Sequence, residues 1–255
     1  MQHDATIIGG SFAGLAAATY LARARRRILV VDVGLPRNRF AAASHGFLSQ
    51  DGKAPGTILA EAREQLLAYP TVDLVQGEAL SATGNDNGFV VRLADGSKHA
   101  SAKLILAFGL SDALPDLPGV TERWGTSVLH CPYCHGIEFS DRSLGVLYKS
   151  PMSVHQAAMI KEWGPTTLFL NGETLDPEVA EQLTHRGVSI EAAPVAALEG
   201  TGAELAMIRL MNGRAVPIEA LYVMPTSQLN SPLAEQLGCT VDEEMMGSIV
   251  RTGPD

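Results

Sequence analysis

The chain has 255 residues, 46% of them hydrophobic, which is enough for one large or two medium packed domains. Its 19 basic and 28 acidic residues give a net charge of −9, which repels a phosphate backbone or an anionic membrane, so no nucleic-acid partner is expected. No apolar run approaches the roughly 20 residues that span a bilayer, and no basic-then-apolar signal region precedes the first strand, so a cytoplasmic protein without a membrane partner is expected.

The first elements in chain order form a β-α-β unit. Thr6, Ile7 and Ile8 make a short apolar run, Ala13–Ala24 is alanine-rich with helical periodicity, and Ile28–Asp32 is a second apolar run. Continuous apolar strands of this kind belong to buried parallel sheets. Arg23, Arg25, Arg26 and Arg27 fall where the helix should end, and cations there complement its dipole. Val72–Val75, Phe89–Leu93 and Ser97–Ala102 show partial alternation around turn signals at Gly84–Gly88 and Asp95-Gly96, which predicts a small antiparallel β-sheet. Leu104–Ala107 reads as a further strand, and Leu114–Gly119, rich in proline and ending in glycine, as a linker. A second β-α-β unit then follows: strand Leu144–Tyr148, a helix from about Ser153 to Trp163, and strand Thr167–Leu170. Two such units, widely separated, predict an α/β fold with two nucleotide-binding, Rossmann-like domains, the second inserted into the first. The expected boundaries are 1–117 and 226–255 for the first domain, whose last part reads as truncated, and 118–225 for the second.

Two motifs carry chemistry. Gly9-Gly10-Ser11-Phe12-Ala13-Gly14 occupies the first strand-to-helix turn, with Asp32 at the end of the next strand. In a dinucleotide fingerprint the first glycine makes the tight turn, the second lets pyrophosphate approach the helix N-terminus, and the third lets helix pack on strand. Ser11 stands at the second position; it is small, and its hydroxyl could itself contact phosphate. Asp32 is placed to accept hydrogen bonds from a ribose. The bland alternative is a β-α-β unit with no ligand.

Cys131-Pro-Tyr-Cys134-His135 admits several chemistries. A c-type haem would require export, and zinc would require four ligands that the loop from His130 to His135 can hardly supply, with Cys239 isolated in the chain. C-P-Y-C is also a glutaredoxin sequence, but there it follows the first strand, whereas here it follows a complete nucleotide-binding unit. A dithiol exchanging electrons with a bound flavin needs no missing part; two inert buried thiols remain the alternative. No metal site is expected. Reactive thiolate near neutral pH needs a proton acceptor, and His135 or His130 could serve. His45 reads as structural or flavin-adjacent.

The order of motifs resembles the low-molecular-weight thioredoxin reductase family over essentially the whole chain: the glycine turn, Ala107-Phe108-Gly109 where the family has A-T-G, the proline-rich crossover to Gly119, and Cys-x-x-Cys-x-Gly ending at Gly136. Arg37-Asn38-Arg39-Phe40-Ala41, Ser44-His45-Gly46-Phe47-Leu48 and Gln50-Asp51-Gly52 are similar to the branch that includes dithiol oxidases of gliotoxin-like and holomycin-like natural products. The resemblance implies that Gly9–Gly14 and Asp32 hold the ADP half of FAD, with Arg37, Asn38, Gln50, Asp51, Ala107 and Gly109 near the rest. It implies that Cys134 faces the flavin while Cys131 meets the substrate, His135 replacing the family's usual acid, and that the chain is a homodimer.

The chain departs from that family in two places. The second turn, Lys149-Ser150-Pro151-Met152-Ser153, has no glycine, and Asn171-Gly172-Glu173-Thr174 has no arginine for a 2′-phosphate, so NADPH is a doubtful cofactor, although Lys149 could reach a phosphate. Relatives also continue past a segment like Gly247–Arg251 into a Gly-Asp turn and a last helix, so flavin affinity is expected to depend on residues after Asp255. The expected function is two-electron exchange between a substrate dithiol and FAD, the partner being a small-molecule dithiol or a thioredoxin-like protein. The alternatives are an NAD(P)H-dependent thioredoxin-disulfide reductase and a non-catalytic redox-sensing flavoprotein.

Overall fold

The computed structural model describes residues 3–253. The chain divides into two compact units, one formed by residues 1–39, 55–112 and 227–255, the other by 40–54 and 113–226. The second is thus inserted into the first along the chain. The segment 40–54, expected with the first domain, groups with the second unit.

The first unit begins with β1 (His3–Ile8), α1 (Phe12–Arg23) and β2 (Ile28–Asp32). β2 is buried at every position, as its unbroken apolar run requires of a strand covered on both faces. α1 buries Gly14, Leu15, Ala18 and Ala22, one stripe of mostly small residues that lets the helix lie close on the sheet, and Arg23 sits in its last turn. After α2 (Pro55–Leu67) come β3 (Val72–Gln76), β4 (Ala79–Asn85), β5 (Gly88–Leu93), β6 (Lys98–Leu106) and β7 (Leu110–Ala113).

The antiparallel sheet expected from Val72, Phe89 and Ser97 is not a separate one. A single six-stranded sheet runs β3-β2-β1-β6-β5-β4. β3 joins it in parallel beside β2, and the antiparallel part is β4, β5 and the start of β6. Ser97–Ala102 and Leu104–Ala107, read as two strands, are one continuous β6 whose second half pairs in parallel with β1.

The second unit contains β8 (Val128–Leu129), the short helix α3 (Pro132–His135), β9 (Leu144–Leu147), α4 (Pro151–Ile160), β10 (Thr166–Phe169), α5 (Pro177–His185), β11 (Val188–Glu191), β12 (Val195–Glu199), β13 (Met207–Leu210), β14 (Ala215–Pro217) and β15 (Ala220–Tyr222). Five strands form the parallel sheet β11-β10-β9-β15-β8, while β12-β13-β14 is a small antiparallel sheet absent from the sequence reading. The chain then returns to the first unit through β16 (Thr226–Leu229), α6 (Leu233–Gln236), β17 (Val241–Glu244) and β18 (Gly247–Val250), in the sheet β17-β18-β16-β7. Each unit has apolar cores of its own, around Ile7, Ile28 and Val30 in the first and around Leu144, Val146 and Leu168 in the second. No helix among the described residues is long and apolar enough to cross a membrane.

Candidate functional site

The first unit holds a cleft of about 670 Å³ at the carboxyl ends of its parallel strands. Ile8, Asp32, Gly77 and Ala107, which end or directly follow β1, β2, β3 and β6, all line it. Ligands of open α/β sheets bind at this edge. Gly9, Ser11, Phe12, Ala13, Arg37 and Gly109 also line it.

The glycines are required by geometry. Gly9 has φ +108°, and a Cβ on it would lie 2.1 Å from the Ala107 carbonyl oxygen. A Cβ on Gly14 would lie 1.8 Å from the Gly9 carbonyl oxygen, so this residue sets the close approach of helix to strand. Gly10 packs on Asp32, a Cβ there falling 2.7 Å from the aspartate's own Cβ, and its N–H donates to Asp32 Oδ1 at 3.0 Å. The first bond of α1 runs from the Leu15 N–H to the Ser11 carbonyl at 2.9 Å, so earlier N–H groups lie outside the helix's own ladder, at the positive end of its dipole. A bare turn, a helix N-terminus and a terminal carboxylate fit the ADP half of FAD.

Asp32 is nearly buried and has a partner that sequence reasoning missed. Arg63 of α2 pairs with Asp32 Oδ2 and donates to the Gly10 carbonyl at 3.1 Å. A carboxylate has about four lone-pair sites, so both oxygens can still accept a ribose hydroxyl. Arg37 makes a two-bond fork with Asp112, at 2.8 and 2.5 Å, which raises the pKa of the guanidinium and fixes its place on the cleft wall. Asn38, Gln50 and Asp51 do not line the cleft. Asn38 Oδ1 and Gln50 Oε1 are buried with no hydrogen-bond partner among the described residues. Gln50 and Asp51 lie in the second unit, where Asp51 shapes the 40–54 loop by accepting the Gly46 N–H at 2.8 Å.

The dithiol lies in the second unit. β8 leads through His130 to Cys131, the N-cap of α3, and Pro132 supplies the preset φ of a first helical residue. One helical turn brings the i and i+3 sulfurs to one face, and the Cys134 thiol donates to Cys131 Sγ across 2.8 Å. Gly136 has no room for a side chain: a Cβ would lie 2.5 Å from the Pro132 carbonyl oxygen and 2.7 Å from the Trp163 ring. His130 is an anchor, its Nδ1 3.2 Å from the Val223 carbonyl oxygen while its own carbonyl accepts from Gln156 Nε2 at 2.9 Å.

Burial, then the hydrogen bond to Cys131 and that sulfur's charge, push Cys134 up to about 12. Burial holds His135 below its ordinary value, against the pull of Glu138 and with a push from His45. The His45 and His135 rings stand edge to face, centroids 6.5 Å apart. His45 Nε2 lies 3.4 Å from Glu138 Oε1 and its Nδ1 3.7 Å from Asp51 Oδ1. Sequence reasoning named His45 but missed Glu138, which only the approach of the 40–54 loop makes a neighbour.

A family model described as pyridine nucleotide-disulphide oxidoreductase matches residues 3–250. The chain is similar to an oxidoreductase from Agrobacterium tumefaciens, at 45% identity and a TM-score of 0.95 over 100% of this chain and 85% of that one. It is similar to the structure of HlmI, at 38% identity and a TM-score of 0.89 over 94% of this chain and 77% of that one. It is also similar to the thioredoxin reductase tcpT of Claviceps purpurea (strain 20.1), 36% identical over 66% of this chain and 56% of that protein. The chain thus spans little more than half the length of that curated relative. The match over nearly every residue shows that the chain belongs to the pyridine nucleotide-disulphide oxidoreductase family.

Proposed function

We propose that the protein exchanges two electrons between a substrate dithiol and FAD through Cys131 and Cys134. The observation that carries this is the pair of free thiols 2.8 Å apart, one of which holds its proton more tightly than an ordinary thiol. FAD, the flavin of thioredoxin reductase-like proteins in this family, supplies the two-electron acceptor when bound.

The roles of the sulfurs follow from exchange chemistry. A substrate thiolate attacks Cys131 of the oxidised pair, the Cys131–Cys134 bond breaks, and the leaving Cys134 sulfur takes up a proton. The second substrate thiolate then attacks its partner sulfur in the mixed disulfide, releasing Cys131 and closing the substrate disulfide. Two electrons now reside on the enzyme pair, and returning it to the disulfide passes them on. His135 is neutral at neutral pH because burial lowers its pKa, and is therefore in the form that accepts a proton.

The second βα turn supports little use of NADPH. Lys149 Nζ donates to the Met224 carbonyl at 3.2 Å and to Thr226 Oγ1, and Pro151 opens α4 without an N–H. Buried Ser153 Oγ accepts the N–H of Lys149 at 3.0 Å and of Ser150 at 3.4 Å. Donors that a pyrophosphate would use are engaged internally. The printed name of the Claviceps relative favours a second reading, NAD(P)H-driven reduction of a thioredoxin-like protein.

The test is steady turnover of a small dithiol by the FAD-loaded full protein. Cys131→Ser and Cys134→Ser should each lose activity by roughly three decades, since residues acting as a unit fail together. The acid limb of the rate should fall below His135's ordinary pKa of about 6.5 and vanish in His135→Ala. Turnover surviving either cysteine change would refute the assignment, and a single stoichiometric oxidation without turnover would point to a sensor.

A further inference from the structure

A charged side chain stands on the packing stripe of α2. The helix buries Ile58, Leu59 and Leu66, and Ala62 packs against the same core as Leu59 and Leu66. Arg63, four residues after Leu59 and three before Leu66, shares that face. A charge among residues placed for burial is the informative exception. Its Nε is buried with no hydrogen-bond partner among the described residues, which costs stability, so burial alone does not account for an arginine here. The other end of the guanidinium is fully used. Nη2 donates one hydrogen to Asp32 Oδ2 and one, at 3.1 Å, to the Gly10 carbonyl. The Gly10 N–H donates in turn to Asp32 Oδ1 at 3.0 Å. These bonds close a ring through the glycine turn, the end of β2 and α2.

We propose that Arg63 is the positioning residue of the ADP site, fixing at once the plane of the Asp32 carboxylate and the plane of the Gly10–Ser11 peptide. This inference rests on the FAD reading above and requires no contact between Arg63 and the nucleotide. Each Asp32 oxygen accepts one N–H, so the carboxylate does not turn about its last bond without breaking one of the two. A lone pair remains on each oxygen, which matches the two adjacent hydroxyls of a ribose. With the Asp32 side chain only 11% exposed, little water is left to orient it in Arg63's place. In a trans peptide the C=O and N–H point opposite ways, so a held Gly10 carbonyl aims the Ser11 N–H away from Arg63. Asp32 and Ser11 line the cleft, and Arg63 holds both from outside its lining.

The experiment measures the affinity of the full protein for ADP and for 2′,3′-dideoxy-ADP, each by competition with FAD. The parent should prefer ADP by about tenfold, in line with hydrogen bonds to a charged acceptor. Arg63→Met keeps an apolar stem on the stripe but no donor, and should narrow that preference to about twofold. Arg63→Lys keeps the charge beside the buried carboxylate, so a variant remains should Arg63→Met fail to fold. Its nitrogen ends one atom short of Nη2 and does not hold both acceptors, so its preference should fall to about threefold. The ratio is the readout because a structural role would lower both affinities alike. A parent-like preference in a folded variant, even with both affinities reduced, would overturn the proposal and make Arg63 structural. Equal affinities in the parent would remove Asp32 from the ribose, and the proposal with it, whatever Arg63 does.

Discussion

The turn before α1 and the turn before α4 hold equivalent places, each joining a parallel strand to its helix, and their atoms are used in opposite ways. At Gly9–Gly14 the backbone is bare, because Gly9 faces the Ala107 carbonyl and Gly14 faces Gly9 with no room for a Cβ. At Lys149–Ser153 the space belongs to side chains: Lys149 reaches the Met224 carbonyl, Ser153 gathers two N–H groups, and Pro151 starts the helix. The same β-α-β frame therefore presents bare backbone in one unit and a self-capped turn in the other. Fold alone would treat the two turns alike, and their side chains set them apart.

The largest effect should come from filling the bare turn. Gly9→Ala combines a left-handed φ with a contact of 2.1 Å, and should weaken FAD binding by about 100-fold or cost about 3 kcal/mol of stability. Flavin retained through gel filtration and chemical denaturation would measure both; wild-type retention would remove the steric argument. Ser153→Ala should be milder, at about 1–2 kcal/mol, because two N–H groups lose a buried acceptor. Its flavin content should not change, and a loss of flavin would link this turn to the cofactor. Lys149→Met should be smallest, within about 0.5 kcal/mol by denaturation, because the side chain is at the surface. It should leave the NADPH rate unchanged, since neither glycine nor a phosphate-gripping arginine is gained. A saturable NADPH reaction in this variant would show that the lysine alone had closed the site.

The contrast between the turns was legible in the sequence because each turn is local. Gly9, Gly14 and Asp32 sit within one β-α-β unit, and so do Lys149 and Pro151. Cys131, Cys134 and His135 were legible for the same reason. What was not legible depends on distant partners. Arg63 meets Asp32 from 31 residues away, and Glu138 meets His45 only where the 40–54 loop folds back in the second unit. In the sheets, Val72–Val75 looked antiparallel because a short apolar run does not name its neighbour. Lys98–Leu106 read as two strands because β6 changes partner midway, from antiparallel β5 to parallel β1, and its burial pattern changes with it. Gly84 and Asn85 read as turn residues, whereas β4 runs through them and the hairpin turns at Asp86 and Asn87.

The direct measurement of the central claim is anaerobic mixing of the FAD-loaded protein with NADPH in one experiment and a small dithiol in another, following flavin absorbance. The account predicts fast bleaching by the dithiol, lost in Cys131→Ser, and slow, non-saturating bleaching by NADPH. Rapid, complete bleaching at micromolar NADPH would contradict it and make the second turn a working nicotinamide site.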